Sequence, residues 1–413
     1  MQSRTADQRR PPRRASRRPK RRLLRGAVLV VATASGFLAA LWVAIHRYDW
    51  LGPLVANTLR SLVGTTAVAK LEDLVYGVED RVNRVTRTHD APKAYWAVPS
   101  HSALPAPKPA AAGSPKLPAF HPKDPGPALK AWSAPGDGVW VPIVDPRRPQ
   151  EEPYLYKTLL HPDASRSWGE VFVVAVDVRR VDMFVVAGSQ EPKSDDPKAE
   201  GYTRTARIPE AQHEELLAAF NGGFMTEHGG YGMKVDDVVL VHPKPNACTL
   251  AVYKDGSLRI GTWRTLADGE ANMRWYRQAP ACMYEGGKIH PGLTVGSGLK
   301  WGATLDGDTV IRRSAVGLSA DRQIFYVSIT NHTTARALAD GVRHAGAVDI
   351  AQMDVNWSYP KFVLFEPRDG SPLRKAVALA SGFEFSEDEY IRKKSRRDFF
   401  YLTRKSEQAS TQP

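Results

Sequence analysis

The sequence has little cysteine: two residues, Cys248 and Cys282, in a chain of 413. An oxidising compartment would permit one disulfide closing a loop of about 34 residues. Two buried thiols are the other reading, and the spacing leaves both open. The chain also lacks a Gly-Lys-Ser or Gly-Lys-Thr phosphate loop, which argues against nucleotide hydrolysis. Its eleven histidines are scattered, with no His-x-x-x-His pair. No metal or other cofactor is therefore expected, with a carboxylate-held structural calcium left as the alternative. No internal repeat is evident.

An even spread of positive charge is missing too. The formal net charge of +13 first suggests a nucleic-acid partner. Eleven of the 57 Lys and Arg lie in residues 1–25, however, against one acid, Asp7. The remainder holds 46 basic and 43 acidic residues, an ordinary surface balance, so no nucleic-acid partner is expected. Directly after this tail, Gly26 to Ile45 carries no charge, and its polar members are Thr33 and Ser35. Twenty helical residues span roughly 30 Å, the thickness of a hydrocarbon core. With cations on its N-terminal flank, the run predicts an uncleaved transmembrane helix with the N-terminus cytoplasmic. The C-terminal domain would then be periplasmic or extracellular. A cleaved signal peptide is the competing reading, although the small residues Ala32 and Ala34 lie inside the apolar run.

Beyond the predicted membrane contact at 26–45, residues 46–88 read as a helical stalk. Leu71, Val75, Val78, Val82 and Val85 recur at heptad spacing, a stripe suited to self-association of the stalk. Residues 89–150 change character, with fourteen prolines between Pro92 and Pro149. Such a stretch reads as a semi-extended linker. The folded domain is placed at 151–405, with a tail at 406–413. Val171–Val178 and Val181–Ala187 are β-branched runs that suggest a hairpin, and Pro209–Ala218 reads as a helix. Val238–Val241, Thr249–Tyr253 and Leu258–Trp263 read as strands, the last two joined by a turn at Lys254-Asp255-Gly256. Ile324–Thr330, Ala335–Ala345 and Ile350–Met353 form a strand–helix–strand unit. This predicts an α+β class: a mixed, hairpin-rich sheet with packed helices.

Three segments carry residues suited to chemistry. Asn221-Gly222-Gly223-Phe224, followed by Glu227-His228-Gly229-Gly230, offers positive φ or close backbone approach to a ligand. Arg312-Arg313-Ser314-Ala315-Val316-Gly317 can present a guanidinium to a phosphate or carboxylate. Ala345-Gly346-Ala347 leads through an apolar strand to Asp354, where sheet-based sites often hold a carboxylate. The bland readings are a glycine turn, a solvated arginine and a capping Asp. The basic run Arg392–Arg397 reads as a solvated terminal segment.

Taken in this order and spacing, the three segments resemble the phosphodiester glycosidase family, over roughly Ser167 to Lys405. The ending Arg396-Arg397-Asp398-Phe399-Phe400-Tyr401 is similar to a variant group of its bacterial members. Where the family's third segment ends Asp-Gly-Gly-Gly-Ser, this chain has Asp354-Val355-Asn356-Trp357-Ser358. Asn356 tolerates a left-handed backbone, whereas the β-branched Val355 does not. Trp357 and Tyr359 enter in exchange, with flat faces of the kind that pack on sugar rings.

The resemblance implies a hydrolase acting on phosphodiester-linked sugars of an envelope or exopolysaccharide, so the expected partner is a phosphorylated sugar or glycan. The leaving phosphate ester is already a stable anion, so the site needs a carboxylate at the anomeric carbon and a cation for phosphate. Asp354 suits the first role and Arg313 the second, with Asn221 holding a hydroxyl or the phosphate beside Gly222 and Gly223. Glu227, and after it Asp306, are the candidates for a second carboxylate. Asn356, Trp357, Ser358 and Tyr359 would line the sugar site. The competing expectation is a glycan-binding module without catalysis.

Overall fold

The run Glu170–Asp177 (EVFVVAVD) is buried along its whole length. Phe172, Val174 and Val176 enter one apolar cluster, while Val171, Val173 and Ala175 enter another. A strand covered on both faces needs no polar side, and its sequence therefore reads as a continuous apolar run. The structure, a computed structural model, describes residues 65–87, 90–98, 117–294, 309–356 and 358–405, with scattered positions between 29 and 44. Asp306, Trp357, the basic tail at 1–25 and the C-terminal tail at 406–413 lie outside the described residues. The chain divides into two units, Met1–Val68 and Ala69–Pro413, and the three sheets belong to the second.

The strands, in chain order, begin with β1 (Val141–Ile143), β2 (Leu155–Leu160), β3 (Glu170–Asp177), β4 (Val181–Val186), β5 (Leu216–Asn221) and β6 (Met233–Val235). They continue with β7 (Val238–Val241), β8 (Cys248–Tyr253), β9 (Leu258–Thr262), β10 (Met273–Ala279), β11 (Tyr284–Glu285) and β12 (Lys288–Ile289). The last are β13 (Arg313–Leu318), β14 (Ile324–Asn331), β15 (Asp349–Val355), β16 (Phe362–Arg368), β17 (Ser371–Ala378) and β18 (Phe399–Arg404). Helices among the described residues include α1 (Thr65–Thr86), α2 (Trp263–Leu266) and α3 (Ala335–His344). An eight-stranded sheet has the order β1-β2-β3-β14-β13-β15-β11-β12. Two five-stranded sheets have the orders β7-β6-β10-β8-β9 and β17-β16-β5-β18-β4. Every pairing between these strands is antiparallel.

The fold is therefore mostly β, which overturns the α+β expectation. Two misread elements explain the difference. Pro209–Ala218 is not a helix: a single 3-10 turn at Glu210–Gln212 leads into β5. The run Leu216–Phe220 is buried between β16 and β18, where pairing overrides helix propensity. β3 and β4 do not form a hairpin either. Asp177 gathers the side chains of Arg179 and Arg180 at a corner, and the chain passes from the eight-stranded sheet to another. Among the described residues no helix is long and apolar enough to cross a membrane. The transmembrane helix expected at 26–45 lies mostly outside the described residues.

One face of the large sheet is covered by α3, whose Ala335, Leu338, Ala339 and Val342 are buried. Thr334 caps this helix by accepting from the Ala337 amide at 3.1 Å. The opposite face packs against the other two sheets through Phe220, Phe325, Trp275 and Phe400. Residues 117–150, read as linker, contribute Phe120 and Trp140 to the cluster beside α3 and β1 to the sheet edge. Pro142 is tolerated there because an edge strand has spare backbone groups. Cys248 and Cys282 form a disulfide. In α1, Val78, Val82 and Val85 are exposed, while Asp80 takes Arg166 at 2.7 and 2.8 Å.

Candidate functional site

At the end of β5 the chain leaves the sheet through Asn221-Gly222-Gly223-Phe224. Neither glycine takes a positive φ, unlike Gly229 and Gly230 beyond them. Close approach is what demands glycine. A Cβ on Gly222 would stand 2.2 Å from Asp398 Oδ2, and one on Gly223 2.8 Å from Arg277 Cζ. Arg277 Nε donates to Asp398 Oδ2 at 2.8 Å, and both side chains are buried. The Gly223 amide donates to that same oxygen at 3.0 Å, and the Arg277 guanidinium also reaches the Phe224 carbonyl at 2.6 Å. The turn is thus moulded around a buried ion pair.

This turn is tied to the other two segments. Asn221 Nδ2 donates to Ser314 Oγ at 2.8 Å, and Ser314 Oγ donates to the Asp354 carbonyl at 3.0 Å. The Asp354 amide donates to the Gly222 carbonyl at 3.3 Å. Asn221 also donates to its neighbour Gly222, and its Oδ1 accepts from the Lys361 amide at 3.1 Å. Its amide is therefore committed to the scaffold rather than offered to a sugar hydroxyl.

Asp354 ends the apolar part of β15 with its side chain 1 % exposed. Its Oδ2 accepts from Arg397 Nη1. The Arg397 guanidinium lies 4.5 Å from the centre of the Tyr359 ring, and the Tyr359 hydroxyl donates to the Asp398 carbonyl at 2.5 Å. Desolvation of that hydroxyl, with Tyr390 and Asp398 adding to it, pushes the Tyr359 phenol well above its ordinary range. Carboxylate, guanidinium and aromatic face thus form one stack. The cation on Asp354 is Arg397, which the sequence reading left in a solvated run.

Arg313 is fully buried beside Ser314. Its guanidinium donates to the carbonyls of Thr333 at 3.2 Å and Thr309 at 2.8 Å, and to Gln352 Oε1 at 3.4 Å. It pairs in register with Val355, at a bulge between Arg313 and Ala315. These bonds fix the entry to β13 and engage the guanidinium that the sequence reading assigned to phosphate. Val355 continues β15, where a β-branched residue is at home, so the loop has a different shape from a glycine cradle. Asn356 Oδ1 accepts from the Ser358 amide at 3.0 Å and from its hydroxyl at 3.2 Å, closing a side-chain turn. Glu227 sits in the one-turn helix Thr226–His228, 3.6 Å from His228 Nε2. Among the described residues no three metal-ligating side chains come together.

The sequence matches no protein-family model, and no curated protein matches it. Similar solved structures include the catalytic domain of zebrafish N-acetylglucosamine-1-phosphodiester alpha-N-acetylglucosaminidase, auto-inhibited by its pro-peptide. That match has 14 % identity and a TM-score of 0.39, covering 62 % of this chain and 84 % of that one. A hypothetical protein from Synechocystis matches at 8 % identity and a TM-score of 0.37, covering 61 % of this chain and 62 % of that one. A putative exported protein from Burkholderia pseudomallei matches at 11 % identity and a TM-score of 0.27, covering 57 % and 74 %.

Proposed function

We propose that the chain is an extracytoplasmic hydrolase of phosphodiester-linked sugars, with Asp354 and Arg397 as its working pair. The observation that carries this reading is the buried Asp354 carboxylate in contact with a guanidinium stacked on Tyr359. A phosphodiester entering the site offers Arg397 a second anion. As the guanidinium turns to the phosphate, the Asp354 carboxylate is released to face the anomeric carbon. There it stabilises oxocarbenium-like charge or takes a proton from the attacking water. The C–O bond to phosphate breaks, the phosphate monoester leaves as an anion and water supplies the new hydroxyl. The ordered segments that resemble the phosphodiester glycosidase family support the same reaction class. The Cys248–Cys282 disulfide supports an oxidising compartment.

A second reading, glycan binding without turnover, draws on the same site. The Asn221 amide is spent on the scaffold and Asp354 already carries an ion pair. Incubating the purified full-length chain with a panel of sugar-1-phosphodiesters separates the two. Release of free sugar that disappears in Asp354→Asn is the expected result. Binding with no release by the wild-type chain means the second reading is correct.

A further inference from the structure

An open groove of about 390 Å³ lies between Tyr95-Trp96 and the segment Val377–Phe385. Its aromatic wall is rigid. The Tyr95 hydroxyl donates to both Glu170 oxygens, at 2.8 and 2.7 Å, and its ring stands edge-on to Phe172 at 4.8 Å. Phe383 meets Phe172 at 5.6 Å from the other side, and Phe385 remains 39 % exposed. One ammonium group lines the groove: Lys157 Nζ is 4.5 Å from the Trp96 ring centre, while the exposed Lys93 Nζ is 4.4 Å from that of Tyr95. The nearby acids are engaged, Glu170 by Tyr95 and Glu384 by Arg312. Burial holds the Lys157 ammonium below its ordinary range, which marks it as partly stripped of water.

The groove adjoins the candidate site. The Leu379 amide donates to the Phe362 carbonyl at 3.0 Å, one residue from the Lys361 that holds Asn221. Arg312 donates to the Gly382 carbonyl at 2.7 Å, and its own carbonyl accepts from the Asn356 amide at 3.3 Å. Flat aromatic faces bind the apolar face of a pyranose ring, and a partly desolvated ammonium such as that of Lys157 binds its anionic substituent. The volume falls within the range of small-ligand sites.

We propose that this groove holds a neighbouring anionic saccharide unit, so that the substrate is a charged glycan chain rather than a single sugar ester. The claim about the substrate rests on the hydrolase reading above; the claim about binding does not. Calorimetry with the full-length chain tests it, using three trisaccharides: one joined by phosphodiesters, one of uronic acids and one neutral. Both anionic probes, or whichever carries the native anion, should bind, and Trp96→Ala and Lys157→Gln should each weaken binding about tenfold, or 1.4 kcal/mol. Asp354→Asn should bind the uronic probe like the wild-type chain, so loss of turnover does not count against the groove. Turnover of a single-sugar phosphodiester should be unchanged in Lys157→Gln while turnover of the charged oligomer falls. Equal binding of the neutral probe, or unchanged affinity in both variants, overturns the proposal. Binding seen only after deletion of residues 99–116 also overturns it, because the chain's own proline-rich segment would then be the occupant.

Discussion

Arg277 and Asp398 meet at 2.8 Å with both side chains buried, and their pairing sets the shape of the Asn221–Phe224 turn. Removing one partner of such a pair strands the other charge, at a cost of about 3–5 kcal/mol. Asp398→Asn should therefore lower the thermal midpoint sharply. Gly222→Ala should do the same although the native φ suits alanine, because its Cβ meets Asp398 at 2.2 Å. Melting curves of the two variants check this. A Gly222→Ala variant as stable as the wild type would refute the packing argument.

Elements defined by local pattern were legible in the sequence. The β8–β9 hairpin follows from Lys254-Asp255-Gly256, where Gly256 takes φ 81°. The starts of β14 and α3 follow from an apolar run and a helical pattern, while β15 extends beyond the expected Ile350–Met353 at both ends. What failed depended on partners distant in the chain. β3 and β4 are consecutive apolar runs, and local pattern cannot show that they join different sheets. β5 carries helix formers, and burial between two strands decides its state. In the site, Asp354 was expected just after a buried strand, and it lies within β15, one residue before its end. Arg397 was not, because a run of cations reads as solvated until a carboxylate is found opposite it.

The disulfide closes a loop of 34 residues and joins the start of β8 to the chain just beyond β10. For a loop of that length the chain-entropy account gives about 2–4 kcal/mol. The double variant Cys248→Ser, Cys282→Ser should lose about that much in denaturant titration. Adding a reductant to the wild-type chain should produce the same loss. A reductant effect that persists in the double variant would rule out this assignment.

Asp80 of α1 is held by Arg166, which also bonds Asp163 at 2.9 Å. Burial pushes the Asp80 carboxyl up, but the hydrogen bond and charge of Arg166 outweigh it and hold the group below its ordinary 3.8. A depressed folded value means that the stabilisation is present above pH 3.8 and lost as pH falls through the folded value. Hydrogen exchange in residues 76–87 should therefore speed up selectively in that acid window. Asp80→Asn should show the fast exchange already at neutral pH. Equal protection in wild type and variant at pH 7 would sink the idea.

Arg397 touches the Asp354 carboxylate and stacks on Tyr359, so it has either a structural or a phosphate-binding role. The two differ in which substrates they affect. If Arg397 receives the phosphate, Arg397→Gln should cut kcat/KM on sugar phosphodiesters by about 10²–10³, the usual effect of removing one charge-stabilising donor. An aryl glycoside of the same sugar has no phosphate, so the variant should lose much less activity on it, only what the stranded Asp354 carboxylate costs. Arg397→Lys keeps the charge but loses the planar fork and its stack on Tyr359, so it should recover only part of the loss. A merely structural arginine would lower both activities together, in step with the melting temperature. Steady-state kinetics of the three proteins on the two substrates decide the question, and equal losses on both would remove Arg397 from the chemistry.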